Sequence, residues 1–404
     1  MPVAIPVIRR ATLEQIREMD LAGIAVALAR ELFGDDVPQK ELEELTRDAI
    51  HFDTPLVQVE EGIYSLELFH GPTLAFKDVG ARFLARLLGH FTRDLDQEIH
   101  VLVATSGDTG SAVANGFLGV DGIRVHVLYP SGLVTPLQEK QFSTLGENIR
   151  ALEVQGSFDD CQRLVKEAFL DKDLSQEMIL TSANSINLAR FLPQAFYYFR
   201  AWGQLEPQTQ AFFSVPSGNY GNMTAGLVAR EMGLPVHTFL SVNNINDVVA
   251  SYLLTGSYKA RPSIPTIANA MDVGDPSNFD RILELFDHKH AWITRHMEGY
   301  SFSDTEIRKI IARVYRETGY LLDPHGATGY EAAKTHREKH PGAAGIFLET
   351  AHPAKFRETV EEVTGKKVDL PERLAAFADR EKQSLPMGSE YPAFKEYLMN
   401  QQGA

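Results

Sequence analysis

The chain has 404 residues, 44% of them hydrophobic and 23% charged, the balance of an ordinary globular protein long enough for two or three domains. Its formal charge of −15 makes nucleic acid and anionic membrane surfaces poor partners, while leaving room for a local cationic pocket that takes a small anion. One cysteine, Cys161, excludes an intramolecular disulfide and a cysteine-rich metal site.

The opening MPVAIPVIRR has no basic segment ahead of its short apolar run. The apolar stretch 21–29 falls far short of the roughly 20 residues that span a bilayer. No signal peptide, transit peptide or anchor is expected, and the cytoplasm is the expected compartment. Residues 1–54 read as a helical segment, because ATLEQIREMD and PQKELEELTRDAI carry apolar residues at three- and four-residue spacing.

After Pro55 short β-branched runs alternate with helix-length segments. SLELF, IHVLVAT, IRVHVLY, AFFSVP, VHTFLSV and GIFLET predict mostly buried strands. Helices are predicted over 80–90, 135–145, 162–170 and 221–232, and Cys161 falls on an amphipathic helix starting near Ser157. Such alternation predicts an α/β fold with largely parallel sheets covered by helices on both faces. Ligands of such sheets bind beyond the carboxyl ends of the strands, so the loops after strands are where chemistry is sought. The stretch 256–276, rich in proline and glycine, reads as an irregular insertion.

Three of these loops carry candidate chemistry. HGPTLAFKDVGARF (70–83) places Lys77 just before a helix predicted to begin at about Asp78. The helix end disfavours an ammonium and lowers the lysine pKa, as imine chemistry requires. A solvated lysine beside a capping Asp78 is the plain alternative. VLVATSGDTGSAVANG (101–116) offers Ser106, Asp108 and Thr109 where a strand turns into a helix. A well-capped tight turn would use the same residues. SVPSGNYGNMTAG (214–226) presents consecutive backbone N–H groups suited to a phosphate. There Gly218 and Gly221 can take positive φ cheaply and Asn219 tolerates it. Two further segments stand out. FLETAHPAKF places Thr350 at a strand end beside His352 and Lys355. SANSINLARF puts Asn184, Ser185 and Arg190 near a helix start, where Arg190 suits bidentate capture of a phosphate or carboxylate or a surface ion pair.

The order HGPTLAFKD, ATSGDTGSAV, NSIN, VPSGNYGN, DPHGATGY and ETAHPAKF resembles the threonine synthases of bacteria and fungi, from about Thr12 to the C-terminus. The resemblance implies a fold type II enzyme of the tryptophan-synthase-β kind, with two α/β domains closing over pyridoxal 5′-phosphate. By it, 55–76 with 182–404 would form the large cofactor and substrate domain and 77–181 the small one, behind an N-terminal segment that looks shortened. It implies that Lys77 carries the cofactor as a Schiff base and that Gly218, Asn219, Tyr220, Gly221 and Asn222 hold its phosphate. Thr350 would partner the pyridine nitrogen and Asp108 would lie near the ring's 3-oxygen. Glu349, one residue away, should point to the other side of its strand. Thr109, Asn184, Ser185 and Arg190 become candidate substrate contacts. The implied reaction is conversion of O-phospho-L-homoserine and water to L-threonine and phosphate, by γ-elimination and β-addition of water.

Rival readings are a threonine or serine dehydratase or a cysteine synthase of the same fold, or a threonine synthase-like protein without catalysis. His288, His290 and His296 cluster in DHKHAWITRH without a matching carboxylate or cysteine pattern, so they read as a solvated helical face and no metal is expected. The expected partner is the small-molecule substrate, with no nucleic acid or membrane, and the expected state is a monomer or weak homodimer.

Overall fold

The computed structural model describes residues 5–401. The chain divides into two compact units, one of residues up to Phe76 together with Phe191–Asp369, the other of Lys77–Arg190 together with residues from Leu370 onward.

The first unit is built on a six-stranded sheet. Its strands are β1 (Leu56–Glu60), β2 (Ile63–Glu67), β7 (Ala211–Pro216), β8 (Phe239–Asn243), β9 (Met297–Ser301) and β10 (Ala344–Glu349), and the order is β1-β2-β10-β7-β8-β9. Only the β1–β2 pair is antiparallel. The central strands β7, β8 and β10 are almost entirely buried, which is why AFFSVP, FLSVN and AGIFLE are near-continuous apolar runs. The helix Gly221–Glu231 packs closely because Gly226 leaves space for the rings of Phe239 and Tyr198, each 2.8 Å from where a Cβ would sit. Ahead of the sheet lie three helices, Arg10–Ile16, Leu21–Phe33 and Gln39–Ala49. Asp20 caps the second by accepting from Gly23 N. A two-bond ion pair from Arg200 to Asp53 (2.9 and 2.7 Å) ties this segment to the helix Ala195–Gln204.

The second unit holds a five-stranded, all-parallel sheet of β3 (Ile99–Ala104), β4 (Ile123–Pro130), β5 (Ile149–Gln155), β6 (Ile179–Ser182) and β11 (Ser384–Gly388). Their order is β11-β5-β4-β3-β6. Side chains alternate between two cores: Val101, Val103, Val125, Val127 and Ala151 face one, and Leu102, Ala104, Leu128, Leu152 and Val154 the other. Cys161 is buried in the second of these, on the helix Phe158–Leu170, which opens with a Ser157–Asp160 capping box. Burial pushes its thiol up to about 12, which leaves it a small apolar side chain. The residues after Leu370 belong to this unit, where β11 lies beside β5; the sequence-based division had grouped them with the cofactor domain. Among the described residues no helix is long and apolar enough to cross a membrane.

Candidate active site

Strand order locates a crevice in each unit. In the first, the chain runs from β7 outward to β8 and β9, and β10 then inserts on the other side of β7. The order reverses there, so the loops beyond β7 and β10 flank a binding crevice. In the second unit the chain steps from β3 to β4 and β5, and β6 returns on the far side of β3. The loops beyond β3 and β6 are its equivalents. These four loops contain Asp108, Thr109, Asn184, Ser185, Gly218 to Asn222 and Thr350.

The loop after β7 is braced on every side. Ser217 N donates to Val242 O (2.7 Å), and Asn243 Nδ2 donates to Ser217 O (2.8 Å). The positive φ of this turn falls on Tyr220, at 61°, and not on Gly218, Asn219 or Gly221. Tyr220 tolerates it because its buried hydroxyl is fixed between Ser241 Oγ (2.7 Å) and Asn243 Oδ1 (2.8 Å). Gly218 is required for close approach instead: a Cβ there would collide with the Ala270 carbonyl and stand 3.0 Å from Met271 Cα. Asn219 Oδ1 accepts from Ser277 N (2.7 Å) and Ser277 Oγ (3.0 Å), and its carbonyl accepts from Asn278 Nδ2 (2.8 Å).

Asn222 is the informative residue. Its Oδ1 accepts from the hydroxyls of Tyr197 and Tyr198, both at 2.7 Å, which fixes the amide and leaves Nδ2 buried with no hydrogen-bond partner. A buried donor without an acceptor costs about 1–3 kcal/mol, and here it lies in the first turn of Gly221–Glu231, whose leading amides also lack acceptors within the helix. That combination is suited to a phosphate oxygen. The residues present therefore fit a cofactor that ends in a phosphate.

Thr350 follows β10 and is buried; its carbonyl accepts from Phe76 N (2.9 Å), which fixes the residue immediately before Lys77. Glu349 turns toward the helix Pro324–Lys339, where its Oε1 accepts from Asp323 N (2.6 Å) and a Cβ on Gly326 would collide with its carboxyl. Burial, and then Asp323, push this carboxyl well above the usual range, so it is held neutral. Asp323 caps that helix, and its Oδ1 lies 2.5 Å from His325 Nδ1. His325 Nε2 accepts from Ala270 N (3.2 Å), so the DPHGATGY segment braces the turn that presses on Gly218. His352 is driven down to about 4, first by burial and then by His70, and is neutral. The buried Lys355 Nζ donates to Thr73 O (2.9 Å) and shapes the HGPT turn.

In the second unit, Lys77 is the first residue of the helix Lys77–Thr92, and its half-shielded Nζ stands 3.7 Å from Asp108 Oδ2. Asp108 opens the helix Asp108–Phe117, and its other oxygen accepts from Gln138 Nε2 (2.8 Å). Gly107 has φ 139° and a Cβ there would stand 2.7 Å from the Gln138 amide, so the turn demands glycine. Thr105 Oγ1 accepts from Gly107 N (2.9 Å) and Gly110 N (2.7 Å), closing the turn. Thr109 and Ser185 are half-buried. The Asn184 amide pairs with both main-chain groups of Ala104 (3.2 and 2.9 Å), which joins the loop after β6 to the end of β3. Arg190 is buried at 3% exposure; Nη1 donates to Lys77 O (2.5 Å) and Nε to Ala183 O (3.2 Å). Its guanidinium therefore holds the backbone of Lys77.

Gln138, Asn278, Asp323 and His325 were not singled out in the sequence. Each supports a loop from a distant element; Asp323 and His325 lie within the DPHGATGY motif, whereas no local pattern marks Gln138 or Asn278. His288, His290 and His296 do not converge. His288 pairs with Glu284 (2.8 Å), His290 Nε2 donates to the Tyr252 and Leu253 carbonyls, and His296 lies between Arg230 and the His237 carbonyl.

Comparison with known proteins agrees with this architecture. The family model described as "Pyridoxal-phosphate dependent enzyme" matches residues 49–348, and "Threonine synthase, C-terminal" matches 326–398. The threonine synthase of Escherichia coli K12 is 43% identical over 403 residues, covering 99% of this chain and 93% of its own. The crystal structure of threonine synthase from Escherichia coli superposes with a TM-score of 0.94 at 42% identity, covering 100% of this chain and 93% of that one. The cofactor-bound threonine synthase of Brucella melitensis gives 0.91 at 33% identity, with the same coverage. Matched along nearly its whole length and by both family models, the chain belongs to the threonine synthase family of pyridoxal-phosphate-dependent enzymes.

Proposed function

We propose that this chain converts O-phospho-L-homoserine and water to L-threonine and phosphate, with Lys77 as the residue that bears pyridoxal phosphate. The observation that carries this reading is Lys77 itself, a shielded amine at a helix start, with its carbonyl held by Arg190 and its Nζ 3.7 Å from Asp108. When bound, the cofactor supplies an electron sink that acidifies the Cα proton and then the Cβ proton of an amino-acid substrate.

Each group of the chain then has a task. With the cofactor bound, Lys77 Nζ would be the base that takes the substrate's Cα proton. Asp108 favours the ammonium so formed, and Gln138 keeps that carboxylate turned toward it. Asn222 Nδ2 and the leading amides of Gly221–Glu231 hold the cofactor phosphate, on a loop kept in shape by Gly218, Asn219 and Tyr220. Thr350 offers the ring nitrogen a neutral hydroxyl, which protonates it less than a carboxylate would. Thr109, Asn184 and Ser185 face the substrate. Arg190 serves first by positioning Lys77, and any contact it makes with the substrate's phosphate or carboxylate is additional. The enzyme acts in the cytoplasm as a monomer or weak homodimer.

The test is an absorbance spectrum of the purified protein with pyridoxal phosphate, with and without phosphohomoserine, beside Lys77→Ala. A band at about 410–420 nm that shifts with substrate and is missing in the variant is expected, with release of threonine and phosphate in equal amounts. A band retained in Lys77→Ala would remove the lysine from its role.

A further inference from the structure

A cavity of about 520 Å³ lies in the first unit at the opposite edge of the sheet from the loops just described. It is lined at the amino ends of the strands, by Ala211 opening β7, Thr238 ahead of β8 and Ala343 ahead of β10. One wall carries Glu298 from β9 with His336 and His340 from the end of the helix Pro324–Lys339.

These three side chains converge. One ligating atom of each lies within 4.8 Å of the others, and Glu298 Oε2 stands 3.1 Å from His336 Nδ1. Histidines four apart share a helix face, and here their rings stack at 4.4 Å between centroids. The arrangement is supported from behind. Tyr300 donates to Glu298 Oε2 (3.2 Å), and Phe212 packs against the buried His336 ring at 4.5 Å. Such outer contacts are what orient metal ligands.

We propose that Glu298, His336 and His340 form a site for one divalent transition-metal ion of the Zn²⁺ or Co²⁺ class. Two imidazoles and a carboxylate are a donor set these ions favour, and it suits neither Mg²⁺ nor Ca²⁺. Bonds of about 2.0–2.2 Å place tetrahedral ligands roughly 3.3–3.5 Å apart. The Glu298–His336 pair is already that close. His340 is exposed at the helix end, so it can close the remaining gap by a small side-chain movement. The fourth position would face the cavity and take water. The alternative is a plain hydrogen bond between His336 Nδ1 and Glu298 that binds nothing.

The experiment uses the full-length, cofactor-loaded protein after treatment with a chelator. Zn²⁺ is titrated calorimetrically and Co²⁺ is followed by its ligand-field absorbance, in wild type, His340→Ala, Glu298→Gln and His288→Ala. The expected result is one equivalent bound with the spectrum of four- or five-coordinate Co²⁺, and an affinity about 100-fold weaker in the first two variants. His288→Ala removes an exposed histidine paired with a glutamate elsewhere and should bind as wild type. Because His340 is exposed, its variant should keep the wild-type circular dichroism and cofactor absorbance. No saturable binding up to about 100 μM metal, or binding that His340→Ala leaves unchanged, would overturn the proposal.

Discussion

Replacing Asn222 by aspartate separates phosphate binding from everything else the residue does. The side chain keeps its shape, and its oxygen still accepts from Tyr197 and Tyr198. What disappears is the Nδ2 donor that has no partner within the protein. If that donor meets the cofactor phosphate, a charge-assisted hydrogen bond of about 1.5–3 kcal/mol is lost. If the new carboxyl is also ionised, repulsion at about 4 Å with an effective dielectric of about 20 adds up to about 4 kcal/mol. The combined loss runs from about 1.5 to about 7 kcal/mol, a weakening of about 10-fold to about 10⁵-fold. The assay is a spectrophotometric titration of the cofactor-free protein with pyridoxal phosphate and, separately, with pyridoxal, which has no phosphate. Affinity for the first should collapse and affinity for the second should change less than about threefold. Equal losses for both would show that Asn222 merely supports the fold, and no loss for either would remove it from the phosphate site.

Gly218→Ala forces a Cβ against the Ala270 carbonyl, where His325 holds the Ala270 amide and Asn243 and Asn278 hold the Ser217 and Asn219 carbonyls on either side of Gly218, so a loss of about 1–3 kcal/mol in urea unfolding is expected, with weaker cofactor binding. Gly342→Ala, where a Cβ meets nothing within 4 Å, is the control and should be near neutral. Arg190→Ala should lower kcat/KM by about 10²-fold. If the guanidinium positions Lys77 the loss falls on kcat, whereas a loss carried by KM alone would make Arg190 a substrate clamp. Glu349 is held neutral with its pKa well above the usual 4.5, so the stability it contributes is complete below that value and drains away as pH rises toward the raised one. Glu349→Gln has no proton to lose, so its stability relative to wild type should grow between pH 5 and pH 8. Parallel pH profiles for the two proteins would contradict a neutral Glu349.

The central strands were readable because they are buried on both faces and so consist of apolar runs. IHVLVA and AGIFLE leave no other reading. The edge strands were not. β6 and β9 are half-exposed, and ILTS and MEGYS carry neither an apolar run nor a clean alternation. β11, SLPMG, pairs with β5 from more than 200 residues away, so its place in the second unit had no local signal. The chemical loops were legible as strand-to-helix turns dense in glycine and asparagine. The residue that takes positive φ was not, because a tyrosine accepts that conformation only where Ser241 and Asn243 hold its hydroxyl.

Arg190 and Asn222 show where reading by residue type stops. In the sequence both are anion-binding candidates, and arginine is the stronger by charge and by its planar fork of donors. In the folded chain the arginine donates to the Lys77 and Ala183 carbonyls, whereas the neutral amide is oriented by two tyrosines so that one donor is left over. A ligand gains most from the group whose hydrogen bond the protein has not already made, since only there does binding relieve an existing penalty. Capacity to bind is a property of the side chain. Availability depends on what the rest of the fold has already placed against it, and for Asn222 that is settled by Tyr197 and Tyr198, 25 and 24 residues earlier in the chain.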